Sequence, residues 1–258
     1  MISVHDILNY LESIAPQYMK MDWDNVGLLC GSSAKEVKKV LVALDPFEDV
    51  CREAVETGAD MILTHHPLIF HSPKAITDDT SIGRCILMLA QHGICAVNAH
   101  TNLDCAVGGV NDVLAASLGL ENVNTIHKEG ADFGLLRHGF VPVQNLYTFM
   151  DTVKNKLHCG NVRYVDGGKP VCHVAVGGGA CGDGLMDAYD AGCDTFVTSD
   201  IKYNQFWDAC DLGINLIDAG HFYTENPVTA VLADKLQAAF PEIDVKISQV
   251  HTDCMKFY

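Results

Sequence analysis

Short apolar runs alternate along this chain with longer stretches whose apolar residues recur at helical spacing. VLVAL (40–44) is one such run, and the PFEDVCREAVETGAD that follows has the spacing of an amphipathic helix. MIL (61–63) reads as a short buried strand, TSIGRCILMLAQHG (80–93) as a helix and ICAVNA (94–99) as a further strand. GGVNDVLAASLG (108–119) is then a helix closed by Gly119. The second half runs the same way. VCHVAV (171–176), TFVTSD (195–200) and INLIDA (214–219) read as strands, with CGDGLMDAYDAGCD and YNQFWDACDLG (203–213) as the helices between them. Thr224 is placed to cap a helix starting at Glu225, with Pro227 tolerated in its first turn. Strand alternating with helix is α/β patterning. The stretch 125–170 is polar and turn-rich. It predicts a helix at about 145–157, and a hairpin in NVRYVDGGKPVCHV around Asp166-Gly167-Gly168.

The two halves share landmarks. TGAD before MILTHHP matches AGCD before TFVTSD, and ICAVNAH matches INLIDAGH. The period is too long for a solenoid. The expectation is an internally duplicated two-subdomain α/β protein, with repeats at 1–128 and 129–258 packed together. Because ligands bind at the carboxyl ends of strands in open α/β sheets, a metal cleft between the halves is expected.

An apolar content of 48% over 258 residues is ample for a packed core. No stretch reaches the roughly 18 uninterrupted apolar residues of a membrane span. The N-terminal MISVHDILNYLESIAP alternates like an amphipathic helix and carries acids where a signal peptide would not. A formal charge of −16 argues against nucleic acid and against anionic membranes as partners. An anionic small molecule stays open, since bound divalent cations reverse the local field. Eleven scattered cysteines without a CxxC pair read as reduced, mostly buried thiols, and the chain reads as cytoplasmic.

The candidate chemistry starts at His65-His66 in MILTHHPLIF. Neighbouring side chains on a regular strand point to opposite faces. At a strand end that alternation relaxes, and Pro67 biases His66 toward extended backbone. NAHTNLD then offers His100 and Asp104, and DAGHFYTEN offers His221 and Glu225. Each is a His followed four residues later by a carboxylate, just after a predicted strand. His65, His66, Asp104, His221 and Glu225 make a nitrogen and oxygen donor set suited to two divalent cations with positions left for water. The alternative is a set of separate capping and core-edge residues. His100 either ligates or hydrogen-bonds a ligand or a reacting water and relays protons. The second role is favoured, which makes it the candidate catalytic residue.

Gly177, Gly179 and Gly182 spell GxGxxG after a strand, with Asp200 ending the next strand. This is the pattern of a dinucleotide site, but it lies inside the second repeat, and LDPFED at the equivalent place has no glycine. The turn could instead hold a substrate phosphate. Asp200, Lys202 and Tyr203 in TSDIKYN form either a strand-end ion pair or a substrate contact. Cys95 and Cys105 read as packing.

At these residues the chain resembles the GTP cyclohydrolase 1 type 2 family, also called Nif-three-like or dinuclear metal centre hexamer proteins. WDNVGLLCG (23–31), GADMILTHHPLIF, AHTNLD, TSDIKYN and LIDAGHFYTEN follow the family's signatures in order over nearly the whole chain. The resemblance implies a dimetal site on His65, His66, Asp104, His221 and Glu225, with Glu225 bridging. It also implies a toroidal homohexamer with the sites facing an internal cavity. Members often have Gly and His where this chain has Ser199 and Asn204. The expected function is a metal-dependent hydrolase that attacks a nucleotide-like small molecule with metal-activated water. The cations are two per subunit, and N/O ligands suit zinc, iron, manganese, cobalt or nickel alike. The rival readings are a non-catalytic ring that binds metal or nucleotide, and a dinucleotide-dependent oxidoreductase.

Overall fold

A computed structural model describes residues 1–127 and 130–258. In chain order the first elements are α1 (Val4–Ile14), β1 (Gly27–Cys30), β2 (Lys39–Ala43), α2 (Glu48–Thr57) and β3 (Met61–Thr64). Next come α3 (Ser81–Gln91), β4 (Cys95–Asn98), α4 (Thr101–Cys105), α5 (Val110–Ser117), β5 (Glu121–Ile126) and β6 (Leu136–Gln144). They are followed by α6 (Leu146–Leu157), β7 (Arg163–Val165), β8 (Val171–Val176), α7 (Leu185–Asp190), β9 (Thr195–Thr198) and α8 (Tyr203–Leu212). The chain closes with β10 (Asn215–Asp218), α9 (His221–Glu225), α10 (Pro227–Ala239) and β11 (Asp244–Ile247). The fold is mixed α/β with two sheets. Among the described residues no helix is long and apolar enough to cross a membrane, and all eleven cysteines are thiols.

Two compact units divide the chain. One holds Met1–Ala106 and Thr229–Thr252, the other Val107–Val228 and Asp253–Tyr258. The boundary expected between residues 128 and 129 lies outside the described residues, and the units divide elsewhere for a packing reason. α5 lies against β5, β6 and β8, while β11 returns to pair in parallel with β2.

In the first unit the sheet order is β1-β4-β3-β2-β11. Ser3 caps α1 in a capping box with Asp6, and Val4, Ile7 and Leu11 form its buried stripe. α2 ends on Gly58 in the left-handed region at φ 67°. β3, the central strand, is buried at every position, as strands covered on both faces are. Leu41, Ile62 and Ala96 from three neighbouring strands pack with Val50 and Ala54 of α2 and Leu89 of α3. β2, β3 and β4 are parallel, and their ends are level, with Ala43 beside Thr64 and Thr64 beside Asn98.

The second unit has the order β5-β6-β8-β9-β10-β7. Its three parallel strands β8, β9 and β10 also end level, with Val176 beside Val197 and Thr198 beside Asp218. Each sheet therefore has a run of parallel strands, four in the first (β11, β2, β3 and β4) and three in the second (β8, β9 and β10), with an antiparallel strand, β1 or β7, beside the last of them. The hairpin expected around Asp166-Gly167-Gly168 does not form. β7 crosses to pair with β10, three places from β8. Gly167 makes that crossing possible, because a Cβ there would lie 2.5 Å from the Ile214 carbonyl carbon. Its amide bonds the Asn215 side chain at 2.9 Å. Arg137 is buried on β6, and its Nε donates to Asp112 of α5 at 2.7 Å.

Candidate functional site

Level strand ends set out the donors of the first unit. Neighbouring strands lie about 4.8 Å apart. Groups one or two residues beyond Ala43, Thr64 and Asn98 are therefore neighbours in space. Asp45 follows β2, His65 and His66 follow β3, and His100 follows β4. Backbone bonds fix the turn after β3. His66 N–H donates to the Leu44 carbonyl at 2.9 Å, and the Thr64 hydroxyl donates to the His66 carbonyl at 2.7 Å.

Each imidazole is anchored through Nδ1. His65, fully buried, lies 2.9 Å from the Ala99 carbonyl. A carbonyl only accepts, so the Nδ1 of His65 carries the proton and its Nε2 carries the lone pair. His66 Nδ1 is 2.7 Å from Asp45 and His100 Nδ1 is 2.7 Å from Asp24. Both aspartates are held ionised. Burial works against the Asp24 charge, but hydrogen bonds from His100 and Thr101 outweigh it and bring the pKa down to about 2. Asp45 is also buried and is pulled well below the carboxylate range by His251 and His66. Ionised carboxylates accept from Nδ1–H, which places the lone pair of all three rings on Nε2. One donor atom from each of His65, His66 and His100 lies within 4.8 Å of the others. α4 adds Asp104, with Oδ1 3.5 Å from Nε2 of His65, a separation close to that of two ligands on one cation.

The second unit presents His221 and Glu225 from α9, with Nε2 and Oε2 2.9 Å apart. His221 is anchored in the same way, Nδ1 lying 2.7 Å from Asp200. Asp200 follows β9 in the left-handed region, at φ 54°. Strain of that kind in a non-glycine residue persists where the surroundings enforce it. The His221 hydrogen bond lowers the Asp200 pKa. Burial disfavours a charged His221, yet Asp200 and Glu225 raise its pKa to about 10. A cation taking this nitrogen must displace a proton.

The glycine-rich turn after β8 is packing for this His–Glu pair. Gly178 N–H donates to Asn111 at 2.7 Å and Gly179 N–H to the Thr224 hydroxyl at 3.0 Å. A Cβ on Gly179 would fall 2.0 Å from Oε1 of Glu225. These amides are committed and the space is filled, so the turn cannot cradle a pyrophosphate, and Asp200 is engaged by His221 and not by a ribose. The dinucleotide reading is set aside. Thr224 does not cap a helix starting at Glu225. It lies within α9, where its hydroxyl bonds back to the Gly220 and His221 carbonyls while accepting from Gly179. Pro227 instead opens α10.

Lys202 is exposed and 3.5 Å from Asp183, and Tyr203 is exposed against Trp207. Ser199 is buried and donates to the Gly179 carbonyl at 2.7 Å, and Asn204 faces solvent. Cys95 and Cys105 are buried. Sequence reasoning missed Asp24 and Asp45. The available signal for Asp45 was an acid just past an apolar run, ending VLVALD, whereas Asp24, inside WDNVG, precedes its strand and carried no such signal. It also missed two exposed aromatics, Trp23 and Phe70, whose rings lie 5.6 Å apart and each 6.2 Å from His100.

An α/β chain with carboxylate-anchored imidazoles at its strand ends belongs to the class of candidate metalloproteins. Residues 2–254 match the Duf34/NIF3 (NGG1p interacting factor 3) family, and the chain belongs to that family. A Clostridium perfringens protein named GTP cyclohydrolase 1 type 2 homolog is 35% identical over 261 residues, covering 99% of this chain and all of that one. A relative of the same name from Clostridium acetobutylicum is also 35% identical, with 99% of each chain covered. Among solved structures, the Bacillus cereus protein related to NIF3 superposes with a TM-score of 0.93 at 27% identity, covering 100% of this chain and 99% of that one.

Proposed function

We propose that the chain is a metal-dependent hydrolase holding two divalent cations, with His65, His66 and Asp104 as ligands in the first unit, His100 placed as a further donor beside them, and His221 and Glu225 as ligands in the second. The observation that carries this reading is the common anchoring of the imidazoles. His65, His66, His100 and His221 each have Nδ1 held by an oxygen acceptor. What sets these four apart from His92, a capping residue whose Nδ1 also lies 2.9 Å from a carbonyl, is that their donor atoms gather within 4.8 Å of other His, Asp or Glu donors. When bound, the cations supply Lewis acidity and lower the pKa of a water to near neutrality. The chain's own groups do the rest. Asp24, Asp45 and Asp200 fix the ring orientations, and His100, beside the exposed Trp23 and Phe70, stands where a planar base can stack. That edge favours a nucleotide-like small molecule as substrate, in line with the name the relatives carry. The toroidal homohexamer that the resemblance implies belongs to the same proposal.

The test is elemental analysis of the purified chain beside His66→Ala and Glu225→Ala, followed by turnover of a nucleotide and phosphoester panel. Two equivalents of divalent metal in the wild type, with at least one lost in each variant, are expected. Light scattering should give about six times the 28.0 kDa chain mass. Unchanged metal content in both variants would overturn the ligand assignment. A fully metallated wild type that turns over nothing in the panel would overturn the hydrolase reading in favour of a binding ring.

A further inference from the structure

Away from that site, the second unit gathers two imidazoles and a thiol. His138 on β6 and His173 on β8 share one face of the sheet, because the antiparallel register pairs His138 with Ala175 and Phe140 with His173. Positions diagonal to one another in such a ladder are within reach of long side chains. Nδ1 of His138 is 2.7 Å from Nε2 of His173. Cys193 comes from the turn before β9, next to Gly192, whose carbonyl lies 3.0 Å from Nδ1 of His173. One donor atom from each of His138, His173 and Cys193 lies within 4.8 Å of the other two.

The protons follow from these contacts. The Gly192 carbonyl only accepts, so His173 carries its proton on Nδ1 and presents a lone pair at Nε2. The proton shared by the two rings therefore sits on Nδ1 of His138. The cluster is also rigidly walled. The Phe140 ring stacks on His173 with centroids 4.4 Å apart and planes 12° apart. Cys193 packs with Ala175, Phe196 and Leu185 in an apolar cluster.

We propose that His138, His173 and Cys193 form a second, separate binding site for one borderline-soft divalent cation of the zinc class. Two imidazoles and a thiolate are the ligands such ions prefer, and the absence of a carboxylate from the three disfavours magnesium and calcium. On binding, the S–H bond of Cys193 breaks, its proton passes to water, and the sulfur keeps the electron pair for the cation. His138 gives up its Nδ1 proton and gains one at Nε2 through solvent, so that both facing nitrogens donate. With bonds of about 2.0 Å in tetrahedral geometry the two nitrogens stand roughly 3.3 Å apart, so the present 2.7 Å contact opens slightly. Both rings are only half-buried, which leaves a path for the ion and room for a water as fourth ligand.

The probe is cobalt(II), added to the chelator-stripped full chain under a phosphine reductant. A thiolate ligand gives a sulfur-to-cobalt charge-transfer band that imidazole and carboxylate ligands cannot give. One equivalent of cobalt carrying that band is expected. The band should be lost in Cys193→Ser and in His173→Asn, yet retained in His66→Ala and Glu225→Ala, which separates this site from the one proposed above. Cys193 is buried, so folding of each variant is checked by circular dichroism, and the half-buried His173→Asn carries the test if Cys193→Ser misfolds. No thiolate band in the wild type, or a band that survives in folded His173→Asn, overturns the proposal.

Discussion

Gly179 and Glu225 are so closely opposed that a single methyl group at the glycine would sit 2.0 Å from the carboxylate oxygen Oε1. Gly179 also adopts φ 64°, where a side chain costs on the order of 1 kcal/mol. Gly179→Ala should therefore do two things: lower stability by more than the backbone term alone, and push Glu225 out of position. Gly58→Ala is the control, since Gly58 has φ 67° and nothing within 4 Å of a built Cβ. Elemental analysis and thermal melts of both variants are the measurements. The expected result is metal loss in Gly179→Ala alone, with a melting temperature below that of Gly58→Ala.

The ion pair of Arg137 and Asp112 predicts a stability effect with no bearing on metal. Arg137 is 1% exposed, and it donates to Asp112 at 2.7 Å and to the Gly134 carbonyl at 2.9 Å. Removing one partner of a buried pair leaves a charge uncompensated, which costs about 3–5 kcal/mol. Asp112 is partly exposed, so the lower end applies. Asp112→Ala should lose about 3 kcal/mol in urea unfolding with unchanged metal content. A loss under about 1 kcal/mol would mean that solvent reaches the guanidinium and replaces the carboxylate.

Asp24 predicts how the metal-free chain responds to acid. Its folded pKa, about 2, lies below the ordinary 3.8. A group depressed in this way contributes stability that is present above the unfolded pKa and is lost as pH falls through the folded one. The window is thus about pH 4 down to pH 2, and the shift corresponds to roughly 2 kcal/mol. Asp24→Asn should cost about that much at pH 7 in chelator, and progressively less as the pH falls through the window. Urea unfolding of both proteins at several pH values measures it. A penalty that stays constant down to pH 2.5 would place the effect in packing and not in the charge.

Much of this was legible in the amino-acid order, and the exceptions have physical causes. The strands and helices around the donors announce themselves because buried parallel strands are continuous apolar runs and the helices between them keep a 3.6-residue period. VCHVAV is a strand over the whole expected range, Val171–Val176. Lateral pairing is another matter. The DGG turn carries a hairpin signal, but nothing local tells β7 that its partner is β10, with Arg163 set beside Asp218. The GxGxxG pattern is a decoy for a related reason. Glycine is required where a backbone approaches something closely, and here that something is the side chain of Glu225 and not a phosphate. Asp24 and Asp45 were hidden because their role depends on which strand ends stand side by side, a property of the sheet and not of any one segment.

His100 is the residue whose role the geometry and the sequence pattern weigh differently. By pattern it relays protons, since five other donors nearly fill two cation sites. By geometry it is built like a ligand. Asp24 holds its Nδ1 at 2.7 Å, its ring centroid lies 5.1 Å from that of His65 and 5.4 Å from that of His66, and one donor atom of each falls within the same 4.8 Å. Anchoring of Nδ1 by a carboxylate serves a proton relay as well as a ligand, so it is the closeness of the His100 donor atom to those of His65 and His66 that favours a ligand. The expectation is therefore that His100→Ala lowers bound metal and hydrolysis together, by at least tenfold in metal affinity, the lower end for losing a group that builds or orients a metal site. His100→Gln, which keeps polarity but not the imidazole nitrogen, should not restore either. Metal affinity is read by chelator competition, and turnover is measured at saturating metal. If saturating metal leaves the His100→Ala rate far below wild type while affinity is unchanged, His100 is a proton relay and not a ligand.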